Sequence, residues 1–196
     1  MITEGIDDVD LAHPTPPPEA RRRRPPMSRV LITYASRMGS TAEIARALGD
    51  QLIRRGVDAV VLPTDRVRSL TGFDAVVVGS AVYLRRWLPE ALHWLKANAP
   101  ELAERPTWLF QSGPCGADSP DPDRVPRAVD RLAFAIGAEP PVTFGGRLDR
   151  ALARSPLQRW ISDGPLAGDY RDWDVIAQWG DTIADRLIEQ PQNTTP

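Results

Sequence analysis

Residues 74–82 read DAVVVGSAV, a run that is apolar at successive positions instead of every second one. A strand with one face in water alternates, whereas a strand covered on both faces has no need to. This segment therefore belongs near the centre of a sheet with a layer on each side. RVLITYA (29–35), DAVVLP (58–63), TWLFQS (107–112) and PVTFGGRL (141–148) complete a set of five strands. The stretches between them carry helical spacing. Ile44, Ala45, Leu48 and Leu52 recur three and four apart, and Arg54-Arg55-Gly56 supplies a basic last turn and a stop. Residues 64–73 are too short and polar to promise a full helix. Pro89 opens a predicted helix with Leu88, Leu92, Leu95 and Leu102 along one face. Val125, Val129, Leu132 and Ile136 mark another that ends at Gly137, and Ile176, Gly180, Ile183 and Leu187 a last one over 172–189. Five strand–helix pairs with no hairpin signal predict an α/β fold: an open parallel sheet with helices on both faces.

The chain up to residue 27 reads otherwise. MITEGIDDVDLAHPTPPPEARRRRPP holds six of the 20 prolines and a four-arginine run, with no hydrophobic periodicity. Such a segment buries too little apolar surface to offset its chain entropy, so 1–27 is expected to be a disordered tail, as is 191–196. It lacks the apolar stretch of a signal peptide, and Met27 is itself a candidate start because MSRVLITY opens directly on the first strand. One domain over 28–190 remains. The net charge of −2 creates no global field for nucleic acid. A lone cysteine, Cys115, excludes an internal disulfide and fits a cytoplasmic protein. Two histidines and one cysteine, far apart, make no metal site.

Ligands of doubly wound sheets bind beyond the carboxyl ends of the strands, where the strand order reverses. The first such loop is Ser36-Arg37-Met38-Gly39-Ser40-Thr41, between a strand and a helix start. A helix N-terminus offers free amides and a dipole to an anion, and three hydroxyls add donors. Neither G-x-x-x-x-G-K-[ST] nor G-x-G-x-x-G is present, so a monophosphate suits the loop better than a triphosphate or a dinucleotide. A purely structural alternative exists, because Ser40-Thr41-Ala42-Glu43 has the spacing of a capping box.

Ile32, Tyr34, Ser36, Gly39, Thr41, Ala45 and Leu48 together resemble the FMN-phosphate signature of flavodoxins, from which Thr33 departs where a larger apolar residue is usual. The resemblance implies a flavodoxin-like doubly wound, five-stranded parallel sheet of order 2-1-3-4-5, with FMN at the switch point between the first and third strands. It places the FMN phosphate on Ser36, Arg37, Met38, Gly39, Ser40 and Thr41. It places the flavin ring against Ser80, Ala81, Val82 and Tyr83 of the third-strand loop and Ser112 and Gly113 of the fourth. Tyr83 is the expected stacking residue, with Trp87 the alternate.

Electron carriers of this family are generally acidic around the flavin, to dock basic partners. Removing the four basic and five acidic residues of the tail from totals of 24 and 26 leaves a balance of only −1, and the ring loop carries Arg85-Arg86. The layout is also similar to the menaquinone-dependent protoporphyrinogen IX dehydrogenase family. The features that carry this are Ser36-x-x-Gly39-x-Thr41, VVVGSAVY, FGGRLD, and a basic insertion (149–171) before Asp172-Trp173. That insertion sets Arg150, Arg154, Arg159 and Arg171 among Leu152, Leu157, Trp160 and Ile161. The third-strand loop reads Val82-Tyr83-Leu84 where that family usually has Arg-Tyr-Gly. The resemblance implies an FMN-dependent, quinone-linked dehydrogenase of haem biosynthesis acting on a porphyrinogen, with peripheral contact at the inner face of the membrane. A flavodoxin-type carrier and a module without FMN remain open, and no general acid or base stands out.

Overall fold

A computed structural model of the protein describes residues 28–113, 124–148 and 168–189. The expectations for the two termini, for Cys115, and for most of the basic insertion, Arg150, Arg154 and Arg159 included, lie outside the described residues.

Five parallel strands form the sheet: β1 (Arg29–Ala35), β2 (Asp58–Pro63), β3 (Ala75–Tyr83), β5 (Thr107–Gly113) and β6 (Val142–Gly145). Their order is β2-β1-β3-β5-β6. Counting only these five, this is the expected 2-1-3-4-5, with β1 and β3 at the centre. The unalternating run earns that place: from Ala75 to Ala81 every residue of β3 is buried.

The pleat sorts the core into two layers. Leu31, Val76, Val78 and Leu109 face one side, where they pack with Trp94 and Leu95 of α2 (Pro89–Ala97) and Val129 of α4 (Arg127–Ala135). Val30, Ile32, Val77 and Phe110 face the other, against Ile44, Leu48 and Leu52 of α1 (Ser40–Arg54) and Ile176, Ile183 and Leu187 of α5 (Trp173–Glu189). The helical stripes read from the sequence are thus the buried ones. On the second side Phe110, Phe144 and Trp179 form an aromatic triad with centroids 5.5–6.1 Å apart. A Cβ on Gly79 would lie 2.1 Å from the Phe110 ring, so glycine there makes room for it.

Three local expectations are corrected. The helix expected from Pro89 to Leu102 is two, α2 and α3 (Ala99–Leu102). Pro100 has no N–H to give the Lys96 carbonyl, and the Asn98 side chain instead donates to the Trp94 carbonyl at 2.8 Å. A hairpin was not expected, yet β3 turns back into β4 (Arg86–Trp87) through Leu84 and Arg85, at φ 48° and 61°. Both torsions are left-handed, the geometry of a two-residue turn usually built from Asn-Gly. The expected fifth strand breaks at Gly146. Beyond β6, β7 (Arg147–Leu148) leaves the sheet and pairs antiparallel with β8 (Gly168–Asp169). Gly146 N–H donates to the Gly113 carbonyl at 2.7 Å, and the Gly146 carbonyl accepts from Tyr170 N–H at 3.0 Å. No helix among the described residues is long and apolar enough to cross a membrane.

Candidate functional site

Parallel register sets the ends of three strands side by side: Ala35 pairs with Ser80 and Ala81 with Ser112. The three loops singled out in the sequence therefore open from one edge. A direct bond ties two of them, since the hydroxyls of Thr41 and Ser112 lie 2.7 Å apart in a buried contact.

The first loop turns tightly because Ser36 Oγ accepts from the amide of Gly39 at 3.1 Å. Gly39 sits at φ 88°, a left-handed conformation that glycine adopts without a steric penalty, and it is the N-cap of α1. No side chain caps this helix. The alternative of a capping box at Ser40–Glu43 is not realised: Ser40 Oγ accepts from the amide of Arg147 at 3.0 Å, and the Glu43 carboxylate turns to arginines. The first amides of α1 thus have no side-chain cap, and the carboxylate in its first turn, Glu43, is held by Arg147 and Arg171. Met38, Ser40 and Thr41 are buried and Gly39 half-buried, while Arg37 is exposed and reaches Glu90 at 3.7 Å.

In the second loop Ala81 is buried and Val82 and Tyr83 are half-buried. Burial raises the Tyr83 phenol above its ordinary value, and the nearby Arg37 charge opposes that shift. Tyr83 is half-buried at the end of β3, beside the loop. Trp87 is buried in the core with its indole N–H donated to Gln111 Oε1 at 3.0 Å, so it offers no face for stacking. Ser80 is buried and its hydroxyl is engaged both ways, donating to the Ala81 carbonyl and accepting from Leu88 N–H at 3.0 Å. Its role lies in joining β3 to the start of α2. In the third loop Ser112 is buried against Thr41, and the Gly113 carbonyl is taken by Gly146.

Sequence reasoning missed a charged cluster beside the first loop. Arg171, with its side chain 4% exposed, bonds Asp169 and Glu43 and lies 4.6 Å over the Trp173 ring. Hydrogen bonding to Asp169 raises Arg171 above its ordinary range, and Arg171 lowers Asp169 in return. Arg147 Nη2 reaches Glu43 Oε1 at 2.8 Å. The sequence offered FGGRLD and placed Arg171 in the basic insertion, but nothing in it joined Arg147, Asp169 and Arg171 to Glu43. Its glycines have a backbone reason: a Cβ on Gly145 would lie 1.8 Å from the Tyr170 carbonyl oxygen.

A doubly wound sheet of this order, with an uncapped helix start and hydroxyls at the switch point, has the architecture of the flavodoxin-like α/β proteins. The chain belongs to the flavodoxin domain family, whose family model matches residues 31–149. Among solved structures, an archaeal flavodoxin aligns with TM-score 0.55 at 17% identity, covering 82% of this chain and 99% of that one. A Streptococcus pneumonia flavodoxin aligns with TM-score 0.55 at 18% identity, covering 81% and 99%. Rubredoxin oxygen:oxidoreductase from Desulfovibrio gigas aligns with TM-score 0.57 at 16% identity over 82% of this chain. The chain spans 36% of that protein's length. These identities establish the shared fold alone. No curated protein matches the sequence.

Family membership implies FMN binding. The residues present fit the group. Ser36 to Thr41 would hold its phosphate with main-chain amides and hydroxyls, and Ala81 to Tyr83 with Ser112 and Gly113 would flank the ring. FMN when bound would supply the capacity to accept and release electrons. The described residues contain no cluster that could hold a metal ion.

Proposed function

We propose that the protein is an FMN-dependent oxidoreductase that draws electrons from a reduced anionic organic substrate and delivers them to a quinone-type acceptor, a porphyrinogen being the substrate class best suited. The observation that carries this reading is the β3–β4 hairpin. It sets Leu84, 85% exposed, and the exposed Arg85 and Arg86 beside the predicted ring-binding residues, with exposed Arg37 near Tyr83. Holding Leu84 and Arg85 in left-handed torsions costs about 1–2 kcal/mol per residue, a cost that glycine would avoid. An apolar tip between guanidinium groups matches a macrocycle bearing carboxylates, and it mismatches the basic proteins that acidic carriers dock.

The test is turnover. FMN-loaded protein should oxidise protoporphyrinogen with a menaquinone analogue, followed by porphyrin fluorescence. Arg85→Gln with Arg86→Gln should slow it at low salt and less so at high salt, because exposed charges are screened over about 8 Å at 0.15 M. Loaded protein that oxidises no porphyrinogen, yet passes electrons between a reductase and a haem protein, would show a carrier instead.

A further inference from the structure

We propose that Arg147, from the strand that leaves the sheet after Gly146, binds the phosphate of FMN. The inference rests on the flavin reading and adds to it a positive charge that the 36–41 loop does not supply from its own buried residues. Arg147 is tied to the first turn of α1 at both ends. Its amide donates to Ser40 Oγ at 3.0 Å, and its Nη2 donates to Glu43 Oε1 at 2.8 Å. Between these anchors its Nε is buried and has no hydrogen-bond partner among the described residues. A guanidinium N–H withdrawn from water and left unpaired is costly, more so than a neutral group, unless an anion completes it.

The surroundings say where that anion would lie. Glu43 Oε1, the atom Arg147 holds, is 3.7 Å from the position a Cβ would take on Gly39, the N-cap. The Arg147 head group therefore stands over the uncapped end of α1, where amides and dipole already favour negative charge. Arg171 is less suited to the same role, because each of its three guanidinium nitrogens already donates to Asp169 or Glu43. Glu43 is shared: Arg171 takes one carboxylate oxygen and Arg147 the other. With Arg171 holding Glu43, Arg147 is the member of the cluster whose Nε is buried without a partner among the described residues.

A purely structural role for Arg147, clamping β7 to α1 through Glu43, makes a different forecast. Breaking a clamp from either side has the same effect, so Arg147→Met and Glu43→Gln would weaken FMN alike. A phosphate ligand breaks that symmetry. Arg147→Met removes an attractive charge, whereas Glu43→Gln removes a repulsive one and leaves Arg147 in place.

The experiment titrates full-length apoprotein with FMN and with riboflavin, following quenching of flavin fluorescence, alongside a thermal melt of each variant. Arg147→Met should weaken FMN by about ten- to a hundredfold, the range for a hydrogen bond to a charged group, and leave riboflavin within about twofold. Arg147→Lys should recover part of the loss. Glu43→Gln should bind FMN as tightly as the parent or tighter. Equal weakening of FMN and riboflavin by Arg147→Met, or equal FMN losses in Arg147→Met and Glu43→Gln, would overturn the assignment. If Arg147→Met does not melt cooperatively, Arg147→Lys and Glu43→Gln decide by the same criteria. Parent protein that binds neither flavin would refute the cofactor reading itself, a result distinguishable from any failure of Arg147.

Discussion

Thr33→Val should stabilise the protein, against the usual direction of a core substitution. Thr33 lies in β1, register-paired with Leu62 on one side and Val78 on the other, and it is wholly buried. It shares its face with Leu31 and Ala35, both members of the apolar layer under α2. Its Oγ1 finds no hydrogen-bond partner among the described residues. Leaving a buried hydroxyl unsatisfied costs about 1–3 kcal/mol by mutational measures. Valine has the same shape, keeps the β-branch that suits a strand, and exchanges the orphan oxygen for a methyl. The gain should therefore be about 1–3 kcal/mol, or roughly 2–4 °C of melting temperature per kcal/mol in a domain of this size. Urea unfolding tests it through a raised midpoint at unchanged slope. Thr33→Ser is the control: it retains the hydroxyl, loses a methyl and should lower the midpoint by the cost of a small cavity. If Thr33→Val instead destabilised by as much as Thr33→Ser, the hydroxyl would have a partner and the accounting would be wrong.

Two further outcomes come from the return segment. Gly145→Ala would set a methyl 1.8 Å from the Tyr170 main-chain oxygen, so the 168–171 strap must shift; melting temperature should fall by the equivalent of about 1–3 kcal/mol. Gly146→Ala, at 3.0 Å from the Gly113 oxygen, should cost less, and equal melts for the two variants would refute the close approach. Asp169 is held below its ordinary value by Arg171, so its stabilisation is complete above the unfolded value near 3.9 and fades as pH falls through the lower folded one. Asp169→Asn should therefore be less stable than the parent near neutrality and converge with it in acid. A difference that stays constant from pH 7 to pH 3 would contradict that linkage.

The sheet was legible because burial on both faces removes alternation, and β1, β2, β3 and β5 begin and end within a residue of their sequence signals. What escaped was decided by partners distant in the chain. Nothing local to Leu84-Arg85 announces a hairpin, since the turn lacks the glycine or asparagine that signals one. The capping box at Ser40 was a correct pattern in the wrong company: Arg147, 107 residues on, takes the Ser40 hydroxyl, and two arginines take Glu43. Ser80 and Trp87 likewise looked available for a ligand until Leu88 and Gln111 used their polar atoms. Tyr83 escaped that fate because it stands where β3 ends.

The small β7–β8 ladder has a topological effect of its own. With Arg147 facing Asp169 and Leu148 facing Gly168, the main chain closes a stem from which the 19 residues 149–167 depart and to which they return. For a flexible connection, joining two ends in this way costs only about 0.6 kcal/mol more for each doubling of its length. A stem of this kind acts as a socket. Its four residues pair with one another and not with the five-stranded sheet, so the stem is held by its own ladder and by the Arg147 and Arg171 bonds to Glu43.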